Sequence, residues 1–448
     1  MKTKSLNLRK SIMGKIILTT FSLAAVSPVL ADTNGEIDQL KKELASQKEL
    51  IQQLLNNQKA MQESYTLPKV SVEPPINNPS KIVTFYGLAD VGVQNTNSGQ
   101  GSKWSMGTGG WLAPRFGVSV DKPITPDLKA VAVAEAGVQY STGSAGTSSV
   151  IPGINHSSPS STAATSTGNQ LFGRQIYAGL SSKTFGSLTV GRQYSGTFAL
   201  GGMTNALAFS GYGYSGGIMG ANGWPARVNS SMLYTSPTLN GFTGQAMIST
   251  GSENNTNGDV FISADSKLKS NDKAGRGIDL EVHYIKGPLL VGASTWNFYN
   301  TTYAPGETGL AKKTGVQVGG AYDFGVVKLY GNYVSGNIKG SNYENVSKAF
   351  SSTSAYSLSA MLPLGKHKFY ISYTDFNDES KLNMDAKLYG IAYTYQAEET
   401  IKYYVALGRM QNGRNASFSL PDGGSLVGNV LTTGKGVNGI MAGVAMGF

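Results

Sequence analysis

The sequence predicts an all-β protein, a 16-stranded antiparallel transmembrane β-barrel carrying an N-terminal α-helical coiled-coil extension. Three observations predict it. Apolar and polar or small residues alternate in stretches of eight to twelve from Lys81 to Phe448, short and long connections take turns between those stretches, and a heptad pattern occupies residues 37–61. The predicted organisation is a signal peptide at 1–31, a coiled coil at 32–64, a proline-rich linker at 65–80 and the barrel at 81–448.

The barrel rests on the two-residue period of a strand with one greasy face. It is plain in Val83-Thr84-Phe85-Tyr86-Gly87-Leu88-Ala89-Asp90-Val91 and again in Ile440-Met441-Ala442-Gly443-Val444-Ala445-Met446-Gly447-Phe448. Short turns fall at 121–128, 183–186, 236–241, 285–288, 322–325, 362–367 and 396–399. Long Gly/Ser/Asn-rich loops fall near 94–110, 141–170, 195–226, 252–276, 299–314, 335–350, 376–386 and 410–436. Seven short and eight long connections join sixteen strands, and the even count leaves both barrel ends on the short-turn side. A soluble sandwich would also alternate. The short-long rhythm together with an export signal favours the membrane, where an open sheet edge would leave backbone groups unpaired, so the strands must close.

The first 31 residues hold Lys2, Lys4, Arg9, Lys10 and Lys15 and no acid, then an apolar run from Ile16 to Val26. Val29-Leu30-Ala31 places small or apolar residues before a cut after Ala31, the pattern of a signal peptide. Its loss takes the formal charge from +10 to +5, which removes the main support for a nucleic-acid partner. Beyond it no apolar stretch approaches the roughly 18 residues of a membrane-spanning helix. Charged residues are 14% of the chain, against about 25% in soluble domains. There is no cysteine, so neither disulfides nor thiolate chemistry are available. The 57 glycines and 23 tyrosines suit glycine turns and interfacial aromatic belts.

In the extension, Ile37, Leu44, Ile51 and Gln58 share one heptad position and Leu40, Gln47, Leu54 and Met61 the other. The apolar seam is Ile37, Leu40, Leu44, Ile51 and Leu54, with Lys41, Lys42, Glu43, Lys48 and Glu49 outside it. A helix this polar is marginal alone, so the pattern predicts a partnered coiled coil, with two or three strands both open. An amphipathic helix lying on its own barrel or on the membrane is the alternative. Pro68, Pro74, Pro75 and Pro79 then read as an extended tether.

Catalysis has no foothold. His156, His283 and His367 lie in a loop, a strand end and a turn without metal-ligand spacing, no nucleophile elbow flanks a serine, and no cofactor is expected.

Several stretches together resemble the general porins of Gram-negative outer membranes across residues 81–448. They are Thr84-Phe85-Tyr86-Gly87-Leu88-Ala89-Asp90, Pro114-Arg115-Phe116-Gly117, Leu171-Phe172-Gly173-Arg174-Gln175 through Gly191-Arg192-Gln193, and the terminal Phe448 preceded at alternate positions by Met446, Val444, Ala442 and Ile440. The resemblance implies a homotrimer, which would make the coiled coil three-stranded, and assigns Phe448 and Met446 to the signal read by the barrel assembly machinery. The N-terminal heptads depart from the commonest members of that family.

The resemblance also implies that the third long loop, 195–226, folds into the barrel as a constriction. This loop holds no charged side chain, and its aromatics include Phe209, Tyr212, Tyr214 and Trp224; an ordinary surface loop is the alternative. Opposite it the resemblance places Arg115, Arg174 and Arg227, with Glu135 near them. Alternation independently puts Arg115 inward, with Phe116, Val118 and Val120 toward lipid, and Arg227 inward, with Val228, Met232 and Tyr234 toward lipid. Arg174 is ambiguous by alternation and is inward only through the resemblance; each arginine could instead be a rim charge. Asp90 and Glu135 fall on the polar parity. Arg192 matches a subunit-interface position.

The reading is an outer-membrane passive diffusion channel for small hydrophilic solutes and ions, with an anion preference. A selective channel for anionic nutrients such as dicarboxylates or phosphate is the nearest alternative, and an adhesin or periplasmic tether a more distant one. Expected partners are outer-membrane lipid and lipopolysaccharide, the assembly machinery, and peptidoglycan through the periplasmic coiled coil.

Overall fold

The computed structural model describes residues 82–99, 101–140, 143, 171–219, 224–251, 275–301, 310–339, 351–420 and 432–448, together with residues 38, 41, 42, 44–46, 48 and 49. The chain divides into two units, Met1–Leu67 and Pro68–Phe448. In the first, the described residues are helical. Lys41 pairs with Asp38 at 3.5 Å one turn earlier, and Leu44 is exposed. The other seam residues, Ile37, Leu40, Ile51 and Leu54, lie outside the described residues, as do the signal peptide and the linker.

The second unit is a closed antiparallel barrel. Its strand segments are β1 (Val83–Asn97), β2 (Ser102–Thr108), β3 (Arg115–Pro123), β4 (Leu128–Gly137), β5 (Gln175–Ser182), β6 (Gly186–Tyr194), β7 (Arg227–Thr235), β8 (Phe242–Thr250) and β9 (Arg276–Lys286). They continue as β10 (Leu289–Thr301), β11 (Leu310–Asp323), β12 (Lys328–Lys339), β13 (Ser352–Leu364), β14 (His367–Asp378), β15 (Ala386–Gln396), β16 (Ile401–Asn412) and β17 (Val437–Gly447). β2 pairs with the second half of β1 and β3 with the first half, so these two segments are one interrupted barrel strand and the barrel has sixteen. Closure is made by β17 on β1, from Leu88↔Gly447 to Asn97↔Asn438, and is extended by Gly87 and Phe448 exchanging backbone hydrogen bonds of 3.0 and 3.1 Å. Met446 pairs with Ala89 of β1 and Ile401 of β16, while the Phe448 ring, 76% exposed, projects outward. Closure matters because no backbone edge is then left to lipid.

Alternation sorts the side chains as the period requires. Along β12, Leu329 and Tyr333 face out while Lys328, Tyr330, Asn332 and Val334 face in. Phe85, Phe185, Phe242, Phe324 and Phe369 form an outward aromatic band near the short turns, the place where amphipathic rings meet the membrane interface.

The expected long loop at 94–110 is corrected by the structure. β1 and β2 stay paired out to Asn97↔Ser102, leaving only the connection 98–101 between them. Gly99 and Gly101 adopt φ of +85° and +112°, a backbone conformation that ordinary side chains resist. The interruption falls instead at 109–114, where the strand leaves the wall and buries Trp111 in the barrel.

Candidate functional site

Residues 195–219 leave β6 and enter the lumen. Ser195 caps the helix α1 (Gly196–Met203), its hydroxyl accepting from the Phe198 amide at 3.1 Å. A one-turn helix α2 (Gly216–Met219) follows. Because the segment carries no charge, hydrogen bonds rather than ion pairs tie it to the inner wall. Asp279 on β9 accepts from the Thr197 amide at 3.2 Å and from its hydroxyl. Asn332 on β12 donates to Thr204 at 2.6 Å, and Asn205 and the Ala206 amide donate to Ser357 and Ser359 on β13 at 3.1 and 2.9 Å. Ser372 on β14 donates to the Gly213 carbonyl at 2.9 Å, and Tyr212 donates to Gln94 on β1 at 3.0 Å. Glycine is required where backbone meets wall: a Cβ on Gly390 of β15 would stand 2.2 Å from the Gly213 Cα.

The wall from β3 to β7, which those contacts leave free, carries the charged group. Glu135 on β4 and Arg174, just before β5, are joined through Nε to Oε1 at 2.7 Å, and both residues are buried. The second carboxylate oxygen accepts from Tyr86 on β1 at 3.1 Å. Arg174 and Arg227 each donate an Nη2 hydrogen to the Tyr194 hydroxyl, at 2.7 and 2.9 Å, and the Arg227 guanidinium also lies over the Tyr194 ring, 4.7 Å from its centroid. Arg115 lies within Coulombic reach of Arg174, Glu135, Tyr194 and Arg227. Three guanidiniums therefore face one carboxylate, an excess of two positive charges. The Nε atoms of Arg115 and Arg227 are buried without a hydrogen-bond partner among the described residues, although such buried donors are normally satisfied.

The loop aromatics divide between the two walls. Tyr194 stacks on Phe198 at 4.9 Å, Phe198 on Phe209 at 4.1 Å, and Tyr214 meets Phe209 edge-on at 5.2 Å. Trp224 tilts against Phe198 at 5.8 Å. Tyr212 lies on the other side, against Gly408, Gly439 and Leu420.

Other sequence expectations meet a different geometry. Asp90 is inward but does not join the arginines: its carboxylate accepts from the amides of Trp111 and Leu112 at 2.9 and 2.6 Å and from the Tyr404 hydroxyl at 2.7 Å, so it holds the strand interruption in place. Val228, expected toward lipid, is buried. An extra residue in β7 shifts the register between Gly191 and Gln193, and Ser230 takes φ of +48°, so alternation resumes only at Met232 and Tyr234. Tyr194, the last residue of β6, is buried although Leu188 and Val190, of the same parity, face out. Arg174 sits ahead of its strand, where the outward parity of Ile176 does not bind it. Arg192 donates to the Gly173 carbonyl at 2.7 Å and to Asn229 at 2.5 Å.

Sequence reading missed Tyr194 as the hub of the cluster and Trp111 as a lumen residue. No local signal marks either one, since each depends on an irregularity of the wall.

Solved structures with this architecture include an anion-selective porin from Comamonas acidovorans, 18% identical, covering 82% of this chain and 99% of that one with a TM-score of 0.66. OmpT of Vibrio cholerae in its trimer form is 16% identical, with 82% and 99% covered and a TM-score of 0.56. The outer membrane channel DcaP of Acinetobacter baumannii is 11% identical, with 82% and 97% covered and a TM-score of 0.51. At such identities the likeness is one of fold. No curated protein matches the sequence. The profile of the Gram-negative porins, however, matches residues 68–415, more than half of the chain, and with its closed sixteen-stranded barrel this chain belongs to that family.

Proposed function

We propose that this outer-membrane porin channel prefers anions, with its constriction between the uncharged loop 195–226 and the cluster of Arg115, Arg174, Arg227 and Glu135. The observation that carries the reading is the excess of two positive charges on one wall, with two buried Nε donors left without a partner among the described residues and no acidic side chain on the facing loop. A unit charge pair 4 Å apart at an effective dielectric near 20 is worth about 4 kcal/mol. Fixed charge of that strength biases which ions enter a water-filled pore without trapping them. The Comamonas acidovorans protein described as anion-selective is consistent with the same sign.

The experiment is a reversal potential across a potassium chloride gradient in planar bilayers. The wild type reverses on the chloride side of zero, and Arg115→Gln and Arg227→Gln each move it toward potassium. A wild type that reverses on the potassium side refutes the proposal.

The two unpartnered Nε donors also favour a second reading, a channel that binds an anionic nutrient such as a dicarboxylate or phosphate. Conductance that saturates at low concentrations of such an anion distinguishes it from a general pore.

We further read the protein as a homotrimer, the assembly in which OmpT of Vibrio cholerae is described. Residues 32–64 are then a periplasmic three-stranded coiled coil able to reach peptidoglycan, behind a signal peptide at 1–31 and joined by the linker 65–80. Phe448 and Met446 present the assembly signal, and the outward apolar and aromatic face meets outer-membrane lipid and lipopolysaccharide. Crosslinking of full-length chain against a chain lacking 32–80 tests whether the extension holds the subunits together.

A further inference from the structure

Three strands that climb from short turns begin their inward face with the same pair. β12 opens Lys328-Leu329-Tyr330, β14 carries Lys368-Phe369-Tyr370 and β16 carries Lys402-Tyr403-Tyr404. In each the middle residue faces outward, 46%, 44% and 51% exposed, while the tyrosine is buried inside the barrel and the lysine shares its parity. The next inward residue in each strand touches the constriction loop: Asn332 bonds Thr204, Ser372 bonds the Gly213 carbonyl, and Ala406 lies against Gly211. Each strand thus reads, from the short-turn mouth inward, lysine, tyrosine, loop.

Aromatic rings hold two of these lysines, Lys328 and Lys402. The Lys328 ammonium lies 5.3 Å from the Tyr330 ring centroid, and the Lys402 ammonium 5.4 Å from that of Trp111, which itself packs on Tyr370 at 5.4 Å and Tyr404 at 5.9 Å. None of the three lysines is in an ion pair among the described residues, whereas Lys129, also near the short turns, pairs with Asp121 at 2.7 Å. The carboxylates in Coulombic reach are Asp323 for Lys328 and Asp90 for Lys402, and Asp90 is occupied by Trp111, Leu112 and Tyr404. A ring positions an ammonium without supplying a counter-charge. Alternate strands stand roughly 10 Å apart, close to the Debye length of about 8 Å at physiological salt. A small anion between two such lysines is within the field of both.

We infer that these Lys-x-Tyr units form a second anion station at the short-turn mouth, the periplasmic side of such barrels, suited to small oxyanions with two or more negative charges. The station builds on the reading of the barrel as a channel but uses none of the arginine cluster. A polyvalent anion gains from adjacent ammoniums at once, so the station discriminates by valence.

The test is citrate, added to one side at a time, interrupting chloride current through single full-length channels. In the wild type citrate binds faster from the short-turn side. The triple variant K328Q/K368Q/K402Q lowers that association rate about tenfold, the low end of electrostatic steering, and leaves the rate from the loop side unchanged. The triple arginine variant K328R/K368R/K402R retains the wild-type rate, separating charge from any change in packing around Trp111. An unchanged short-turn rate in a folded triple glutamine variant overturns the inference, as does an equal fall from both sides. Failure of the arginine reading is visible separately, as a wild-type reversal potential on the potassium side.

Discussion

Replacing Arg174 by glutamine probes the cohesion and the field of the charged cluster together. Arg174 donates to Glu135 across 2.7 Å with side chains only 6% and 5% exposed. Removing one partner of a buried pair costs about 3–5 kcal/mol, because the remaining charge is left uncompensated. Glu135 keeps the Tyr86 hydroxyl at 3.1 Å, which places the expected loss near about 3 kcal/mol. The double variant E135Q/R174Q removes the stranded carboxylate and is expected to unfold within about 1 kcal/mol of wild type, since neutral replacement of a buried pair is often harmless. The charge count moves in parallel. The excess of two positive charges falls to one in the single variant and returns to two in the double. Denaturant unfolding in detergent micelles and reversal potentials in one salt gradient therefore both place R174Q below wild type, and the double variant recovers both properties. A loss below about 1 kcal/mol in R174Q, the range of an exposed pair, refutes the buried-pair argument. A double variant less anion-preferring than the single refutes the charge count.

Three other perturbations follow from the same geometry. Gly213→Ala drives a methyl into Leu207 and Ser372, each 2.3 Å from the new Cβ, so the loop lifts from the wall and single-channel conductance rises while the barrel stays folded. Asp90→Ala strands the amides of Trp111 and Leu112 at about 1–3 kcal/mol each, and is read as a lower unfolding midpoint without a selectivity change of the size caused by Arg115→Gln. In the turn before β4, hydroxyl hydrogen bonds from Ser182 and Thr184 hold the Asp127 carboxyl below the usual carboxylate range. A depressed value means that its stabilisation is fully present above the ordinary value of about 3.9 and is lost as the pH falls through the folded one. Asp127→Asn should therefore flatten the acid end of the stability profile, and an unaltered acid limb counts against this role.

Much of the barrel is readable from local chemistry. The alternation of Leu329, Tyr333 and Leu358 against Tyr330, Asn332 and Ser359 is a property of the chain itself, because successive side chains point to opposite faces whatever the partner strand. Turn residues such as Gly186, Gly287, Gly325 and Gly365, all at positive φ, likewise carry their geometry in their own lack of a Cβ. The site was legible only in part. Arg115 lies on a regular strand and its inward direction follows from parity, and Glu135 behaves the same way.

Sequence by itself determined the strand period, the short-long rhythm and the uncharged character of loop 195–226, whereas the placement of arginines opposite that loop came only from the resemblance. Tertiary structure alone decided where that rhythm breaks. A period-two rule cannot foresee an extra residue in β7, nor that Tyr194 at the end of β6 is buried and bridges Arg174 and Arg227. Nor can it foresee that Asp90 draws residues 109–114 off the wall, burying Trp111 beside Lys402. Both outcomes depend on hydrogen bonds between residues far apart in sequence, which exist only once the barrel has closed.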